Sequence, residues 1–452
     1  MRTTGRRSFV LYILIAACLA GSIWLLISFF INGQTWATKP YNQHFAADAL
    51  GSITDRAGST LASTNEGVRT YSTDENMRKA LLHTVGDTDG FITTGVQSAL
   101  RAKLSGYNPI TGAGNTIINR LGKNVELTIS APVSLEAYYA LEGRRGAVLV
   151  YNYKTGDMVC KVSTPSFDPA NMPEDLLTNT EGAYDGMLID NTLSSSYVPG
   201  STFKLITQAA AMGRWDDWAS REYVCNGSVN IGGSDINCLG THGAQTASMA
   251  LGNSCNVYYA LLANDLGVEA LQTKAEEFGY NKNLMLGDIT CKASRIDLTG
   301  ADSVQLGWAG VGQYTTEANP YHIMTLMGAI ADGGSYVEPR LTSSLDLFGS
   351  ITSGSRKYME SGQAAALKGL MRSNVENYYG DGMFPGGMQV CAKSGTGEVG
   401  GDKLPTCWMV GFSSSSDSPY AFVIVVEEGN GGLDTAGAVA SRVMNAVDQY
   451  VN

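Results

Sequence analysis

Charged residues are scarce in this sequence. Asp, Glu, Lys and Arg make up 16% of its 452 residues, against about 25% in an average soluble domain. The balance is acidic, with a net charge of -11, and no Lys/Arg-rich run follows residue 10. Because a nucleic-acid-binding surface needs a net basic footprint, we expect no nucleic-acid partner. The low charge, together with plentiful Gly, Ser, Thr and Tyr, indicates an extracytoplasmic protein.

Histidine is also rare, and seven of the eight cysteines lie outside the apolar N-terminal run, so at least one of the seven cannot pair within the chain. Because the chain has only four His residues, a Ser-His-Asp triad has few candidates. We expect His242 to have a structural role and not a catalytic one. Of the eight Cys residues, Cys18 lies in an apolar run. Cys225 and Cys238 bracket the hairpin-like stretch "CNGSVNIGGSDINC", so we predict a disulfide between them in an oxidising compartment. Zinc is the alternative, but only His242 lies nearby and no second close Cys pair exists, so we expect no metal and no cofactor.

One long stretch lacks charge altogether. No charged residue occurs between Ser8 and Thr38, and the run from Ser8 to Ile31 is apolar. As a helix this run would span about 36 Å, enough to cross a bilayer core of about 30 Å and too long for the core of a cleaved signal peptide. Three arginines precede it, at positions 2, 6 and 7. We therefore predict a single-pass cell-membrane anchor with a cytoplasmic N-terminus and an extracytoplasmic remainder, a buried core helix being the alternative.

The rest of the chain predicts one sheet assembled from both ends of a domain. Residues 51–64 read as a surface hairpin and residues 95–108 as an amphipathic helix. From Gly146, "GAVLVYNYKTGDMVCKVS" reads as two strands joined by a turn. "GGMQVCAKSGTGEV", "TCWMVGFSS" and "PYAFVIVVEE" are three late strands. Helices are predicted around residues 194–213, 246–267, 320–334 and 434–451. Two early and three late strands with helices between them indicate an α/β sandwich.

The stretch "PGSTFK" combines a helix start with a Ser-Lys pair. Ser201 and Lys204 are three residues apart, so their side chains lie on one face of a helix. The alternative is an ordinary helix cap at Ser201 with a solvated Lys204. The residues that follow Lys204 are nearly all apolar, which favours a lowered lysine pKa and a role as general base. A serine at the first turn also has a free backbone N–H for an oxyanion.

Two further motifs, in a particular order, strengthen the chemical interpretation. Three stretches match Ser-x-Asn, at residues 63–65, 228–230 and 254–256, and two match Lys-[Ser/Thr]-Gly, at residues 154–156 and 393–395. Lys154 lies before Ser201 in a predicted β-turn, where Lys-Thr-Gly is common, so we set it aside. Ser254 and Lys393 follow Ser201 in the order that active-site serine penicillin-recognising proteins use. Gly395 and Gly397 would let a substrate backbone approach the strand closely.

These motifs resemble those of class B penicillin-binding proteins, which are membrane-anchored D,D-transpeptidases. "GSITDRAGSTLA" is similar to the opening of the family's N-terminal domain, and "YVPGSTFK" to its nucleophile segment. "THGAQTASMALGNSCNVYYALLANDLG" and "CAKSGTGEVG" followed by "CWMVGF" match the surroundings of the other two motifs. The resemblance implies an α/β fold with a membrane anchor (1–32), a small mixed N-terminal interaction domain (33–145) and a penicillin-binding transpeptidase domain (146–452). The last contains a five-stranded, mainly antiparallel sheet between helices.

The resemblance also implies a mechanism and a set of site residues. Ser201 attacks the penultimate D-Ala carbonyl of a peptidoglycan stem peptide after Lys204 takes its proton, and Ser254 and Lys393 complete the catalytic set. Asn256, Ser394, Gly395 and Thr396 are the implied substrate-binding residues, with an oxyanion hole at the N–H groups of Ser201 and Thr396. β-Lactam antibiotics stop at the acyl stage. We expect Cys255, inside the second motif, to be buried and not catalytic.

Partners and rival functions follow from the same resemblance. A class B protein works beside a polytopic glycosyltransferase of the shape, elongation, division and sporulation type. The first rival is a penicillin-hydrolysing or penicillin-sensing protein, which shares the Ser-Lys chemistry. The second is a catalytically silent scaffold of the cell-wall machinery. A complete set of motif residues and the predicted anchor favour the transpeptidase.

Overall fold

A computed structural model describes residues 2–37, 50–106, 122–343 and 355–452. Helix α1 (Arg2–Ala37) contains a 20-residue apolar segment, Phe9–Ser28, that is long and apolar enough to cross a membrane. No part of this segment is buried against the rest of the chain. The predicted helix over 95–108 is described only to residue 106, and its last residues lie outside the described part.

The region after α1 contains a small sheet and several short helices. Its strands are β1 (Ile53–Thr54), β2 (Thr60–Asn65), β3 (Val68–Tyr71) and β4 (Val125–Glu126), in the order β3-β2-β1-β4. Its helices are α2 (Glu75–Ala80), α3 (Leu82–Val85), α4 (Val96–Ala99), α5 (Arg101–Leu104) and α6 (Ala131–Ala140). The antiparallel pairing of β1 with β2 confirms the hairpin predicted over 51–64. Buried Asp55 holds its turn by accepting from the N–H groups of Ala57 and Ser59 at 3.0 and 2.8 Å.

The second region is organised around five antiparallel strands. They are β5 (Gly146–Asn152), β6 (Met158–Thr164), β15 (Val390–Gly397), β16 (Thr406–Ser413) and β17 (Tyr420–Val426), in the order β15-β16-β17-β5-β6. This arrangement confirms the predicted sheet with strands from both ends of the domain. Strands β6, β16 and β17 are buried along their whole length, because helices cover both faces. Strand β15 is an edge strand.

The remaining elements lie between β6 and β15 or after β17. The helices are α7 (Lys204–Arg214), α8 (Ala247–Gly252), α9 (Asn256–Leu266), α10 (Val268–Glu277), α11 (Ser303–Val311), α12 (Pro320–Ala331), α13 (Ser361–Asn374) and α14 (Ala438–Tyr450). The strands form short antiparallel pairs: β7 (Tyr223–Cys225) with β10 (Gly243–Gln245), β8 (Ser228–Ile231) with β9 (Ser234–Asn237), β11 (Leu284–Leu286) with β12 (Ile289–Cys291), and β13 (Ser335–Val337) with β14 (Ser355–Lys357).

Side chains alternate between the two faces of the large sheet. Leu149 and Val423 point into one apolar core with α12, whereas Val150 and Ile424 point into a second core with α6 and α14. This period of two follows directly from the pleat of a β-strand. Helix α6 lies before the predicted domain boundary at residue 146 but packs on this sheet.

A buried ion pair joins the two regions. Lys161 on β6 donates from Nζ to Asp190 at 2.6 Å and to the His83 carbonyl on α3 at 2.8 Å. The Lys161 and Asp190 side chains are 0% and 1% exposed. Arg78 on α2 also forms a bidentate pair with Asp168, with both N···O distances 2.7 Å. Lys161 thus bonds to the backbone of α3, and Arg78 of α2 pairs with Asp168, which follows β6. These contacts attach the region of the small sheet to β6 and the segment after it.

Candidate active site

The Ser201–Lys204 motif lies where a 3₁₀ turn becomes a helix. Ser201 is in the turn Gly200–Thr202, and Lys204 is the first residue of α7. Ser201 is half-buried, whereas the Lys204 side chain is completely buried in the apolar helix. Among the described residues, Lys204 Nζ bonds to Ser254 and Asn256 and not to Ser201 Oγ. Ser201 and Lys204 therefore form no direct hydrogen bond in the described part of the chain.

Lys204 is held by the second motif. Its Nζ donates to the Ser254 carbonyl at 2.6 Å, to Asn256 Oδ1 at 2.7 Å and, more weakly, to Ser254 Oγ at 3.3 Å. Burial, and then the charge of Lys393, hold the pKa of Lys204 well below its usual value. A lysine in this setting loses its proton easily and suits proton abstraction, as the apolar sequence around it predicted.

Ser254 lies between the two lysines of the site. Lys393 Nζ, which is also completely buried, donates to Ser254 Oγ at 3.1 Å and to the Ser394 carbonyl at 2.8 Å. Burial lowers the pKa of Lys393 to about 7. Ser254 has φ +50°, the left-handed region that non-glycine residues rarely adopt. Such backbone strain costs about 1–3 kcal/mol and is common at functional sites.

The third motif is on the edge strand β15. The turn around Ser201 packs directly on it, because a Cβ on Gly395 would lie 2.6 Å from the Pro199 carbonyl oxygen and one on Gly397 2.1 Å from that of Val198. The structure gives these glycines a further role, because their missing side chains make room for the turn that carries Ser201.

Tyr379 and Gly432, which the sequence analysis did not single out, form hydrogen bonds with strand β15 at the third motif. Tyr379 Oη lies 2.8 Å from Ser394 Oγ and accepts from the Ser394 N–H at 2.9 Å. Since N–H groups alternate in direction along a strand, the N–H of Thr396 points to the same open edge as that of Ser394. The Thr396 hydroxyl accepts from the Gly432 N–H at 3.1 Å.

Trp408 on β16 fixes the segment before Ser201. Its Nε1 donates to the Val198 carbonyl at 3.0 Å, and its ring meets Tyr197 edge to face. Its place in "CWMVGF" is a signal in the sequence, but that stretch indicates a strand and not this contact. The set-aside Lys154 lies away from the site in the β5–β6 turn, where it forms an ion pair with Asp332.

The predicted Cys225–Cys238 disulfide is not formed in this structure, where both cysteines are free. The sulfur atoms of these two residues lie instead within 4.8 Å of His242 and Cys255. Cys255 is buried, as predicted, and caps α9 by accepting from the Tyr258 N–H at 3.4 Å. The spacing of the hairpin brought the two cysteines together, but two more donor groups converge at the same point.

A Ser-x-x-Lys helix facing the edge strand of a five-stranded antiparallel sheet defines a penicillin-recognising α/β transpeptidase domain. Comparison with known families supports this class, because residues 146–447 match the family described as penicillin binding protein transpeptidase domain. The chain belongs to this family, and its resemblance to the class B penicillin-binding proteins is confirmed.

Individual relatives and solved structures agree with the family. The chain is 29% identical over 355 residues to the peptidoglycan D,D-transpeptidase PbpA of Mycobacterium tuberculosis, covering 72% of each chain. It is 25% identical to penicillin-binding protein 3 of Bacillus subtilis, covering 80% of this chain and 57% of that one. A ceftriaxone acyl-enzyme complex of M. tuberculosis penicillin-binding protein A superposes with a TM-score of 0.77 at 22% identity, covering 90% of this chain and 99% of that one. For a transpeptidase domain from Eggerthella lenta the TM-score is 0.73 at 23% identity, with 89% and 99% covered.

Proposed function

We propose that this protein is a peptidoglycan D,D-transpeptidase that cross-links stem peptides through an acyl-enzyme on Ser201. The observation that carries the proposal is the position of Ser254 Oγ, 3.1 Å from Lys393 Nζ and 3.3 Å from Lys204 Nζ. A hydroxyl between a buried base and a buried cation is suited to proton transfer beside a negatively charged substrate. Membership of the transpeptidase family supports the same activity.

The first half-reaction forms the acyl-enzyme. Neutral Lys204 takes the proton of Ser201 Oγ, which attacks the carbonyl carbon of the penultimate D-Ala. The N–H groups of Ser201 and Thr396 stabilise the oxyanion. The C–N bond then breaks, and the proton taken by Lys204 passes through Ser254 to the nitrogen of the departing D-Ala. The low pKa of Lys204 supports its role as the base.

The second half-reaction transfers the acyl group. The amine of a neighbouring stem peptide attacks the ester carbonyl and loses a proton to Lys204. As the new amide forms, the C–O bond to Ser201 breaks and Ser201 Oγ takes that proton back from Lys204. Asn256 would bond to the donor backbone, and Lys393 with the hydroxyls of Ser394 and Thr396 would bind its terminal carboxylate. A β-lactam, which mimics D-Ala-D-Ala, leaves a stable ester at Ser201.

The remaining assignments concern the whole chain. We propose a single-pass anchor within residues 1–32 with a cytoplasmic N-terminus, an interaction domain over 33–145 and a transpeptidase domain over 146–452. The apolar segment of α1 supports the anchor. A polytopic glycosyltransferase of the shape, elongation, division and sporulation type is the proposed partner, because cross-linking requires newly polymerised glycan strands.

Matched motif variants test the assignment in the full-length membrane protein. Lys393→Ala and Ser254→Ala should slow covalent labelling by a fluorescent penicillin by at least about 100-fold. Their controls are Lys154→Ala and Ser228→Ala, which alter the other copies of the same motifs and should label like the unmodified protein. Equal labelling of the Lys393 and Lys154 variants would contradict the assignment.

A further inference from the structure

The strongest unassigned feature of the molecule is a cluster of three thiols and one imidazole. Cys225 ends β7, Cys238 follows β9, His242 precedes β10, and Cys255 caps α9. One ligand atom from each residue lies within 4.8 Å of all the others. Four separate elements thus end at one point, immediately behind the Ser254–Asn256 motif.

The distances within the cluster match the edges of a zinc tetrahedron. Zn–S and Zn–N bonds of about 2.3 and 2.0–2.1 Å at tetrahedral angles place two sulfurs about 3.8 Å apart and a sulfur and a nitrogen about 3.5 Å apart. Cys238 Sγ lies 3.8 Å from Cys255 Sγ, and His242 Nδ1 lies 3.6 Å from Cys225 Sγ and 3.5 Å from Cys238 Sγ. All three contacts fit a metal-centred arrangement.

Backbone groups already support the sulfurs as such a site requires. The Asn256 N–H points at Cys238 Sγ at 3.3 Å, and the Tyr258 N–H at Cys255 Sγ at 3.4 Å. N–H groups aimed at sulfur stabilise a thiolate and orient it toward a metal. A disulfide could join only two of the three sulfurs, and it would not explain why a third thiol and an imidazole lie at the same point.

We propose that Cys225, Cys238, His242 and Cys255 bind one structural Zn²⁺ in a closed Cys₃His site. Binding displaces the thiol protons, including the one that Cys225 now directs to the Gly240 carbonyl, and leaves the imidazole neutral. Four protein ligands leave no open position, so the metal takes no part in acyl transfer. The metal ties the second catalytic motif to the end of β9, where Asn256 Nδ2 also donates to the Asn237 carbonyl at 2.9 Å.

The test uses the full-length protein in detergent, purified without reducing agent or chelator from zinc-replete cells. Elemental analysis should find about one zinc per chain. Cys225→Ser and His242→Ala should lower the zinc content at least about tenfold, because each removes a ligand. Cys291→Ala, which removes a buried thiol outside the cluster, is the matched control and should keep its zinc. Equal zinc in all variants would overturn the proposal, as would a Cys225–Cys238 disulfide found by peptide mapping without reduction.

A second measurement does not depend on the variants folding. Zinc is removed from the unmodified protein with a chelator and replaced with Co²⁺. The expected spectrum has the intense visible bands of tetrahedral cobalt and a sulfur-to-cobalt charge-transfer band, both displaced by added Zn²⁺. The weak spectrum of hydrated cobalt alone would contradict the proposal. Neither readout requires transpeptidase activity, so this inference and the proposed function are tested separately.

Discussion

Ser254 Oγ and Lys393 Nζ lie 3.1 Å apart although 139 residues separate them in the chain. The contact joins the loop between α8 and α9 to the edge strand of the sheet. Both partners are parts of motifs that also occur elsewhere in the sequence, Ser-x-Asn twice more and Lys-[Ser/Thr]-Gly once more. Only the copies that contain Ser254 and Lys393 are in contact here, and they lie at the N-terminal end of α7, where Lys204 is the first residue.

The two buried lysines predict opposite responses to pH. Lys204 must be neutral to accept a proton, so the limiting acylation rate should rise with pH until this lysine is deprotonated. Lys393 must be charged to attract a carboxylate, and its pKa of about 7 means that charge is lost as pH increases through neutrality. Apparent affinity for penicillin should therefore fall above about pH 7 while the limiting rate does not.

Stopped-flow acylation of the full-length protein separates these two responses. Lys393→Arg keeps its charge at every accessible pH, so its affinity should lose the decline above neutrality even if its absolute value is poorer. An affinity in the unmodified protein that is independent of pH from about 6 to about 9 would contradict the assignment of Lys393.

Tyr379 is predicted to position the third motif. Tyr379→Phe removes the oxygen that bonds to both the Ser394 N–H and Oγ, leaving two polar groups without a partner. Penicillin acylation efficiency should fall about 10-fold, equivalent to about 1.4 kcal/mol. The neighbouring Tyr378→Phe changes an exposed side chain and serves as the control. Similar efficiencies for the two variants would remove Tyr379 from the site.

A methyl group at Gly395 should displace the turn that carries Ser201. The new Cβ would lie 2.6 Å from the Pro199 carbonyl oxygen and 2.7 Å from Thr202 Cγ2. We expect Gly395→Ala to lose about 1–3 kcal/mol of stability and most of its acylation rate. Gly387→Ala has open space around the added group and should change neither quantity. Thermal unfolding and penicillin labelling measure the two effects, and a fully active Gly395→Ala would show that the turn is not held there.

The Lys161–Asp190 pair should contribute strongly to stability. Asp190→Asn leaves a completely buried ammonium without its counter-charge, which costs about 3–5 kcal/mol. Arg144→Gln disrupts an exposed pair with Glu142 and should cost at most about 1 kcal/mol. Chemical denaturation compares the two, and a difference below about 1 kcal/mol would mean that Lys161 is satisfied by the His83 carbonyl alone.

The sheet was predictable from the sequence, and the Ser201–Lys204 motif was recognisable there, because strand patterns and one-turn spacings are local signals. Runs such as "YAFVIVV" fix a buried strand, and Ser201 with Lys204 is a spacing of one helical turn. Tyr379 and Trp408 were not predictable in the same way. Their roles depend on which backbone atoms the fold brings to them, and tyrosine or tryptophan in a sequence indicates packing first.

The cysteine cluster shows the same limit more sharply. The hairpin that Cys225 and Cys238 bracket predicts that these two residues are partners. For Cys255 the sequence indicates only a buried residue inside the second motif, and for His242 only a structural role. Nothing in the spacing indicates that the start of α9 lies beside the ends of β7 and β9, so the fourfold convergence is visible only in three dimensions.

Peptide mapping of the full-length protein after reaction with penicillin G identifies the nucleophile directly. We expect one added penicilloyl group, on the peptide containing Ser201, and none in Ser201→Ala. The ester should persist through purification, because the site is proposed to accept a peptide amine and not water. Labelling of another residue, undiminished labelling of Ser201→Ala, or turnover of the ester within seconds would contradict the proposed function.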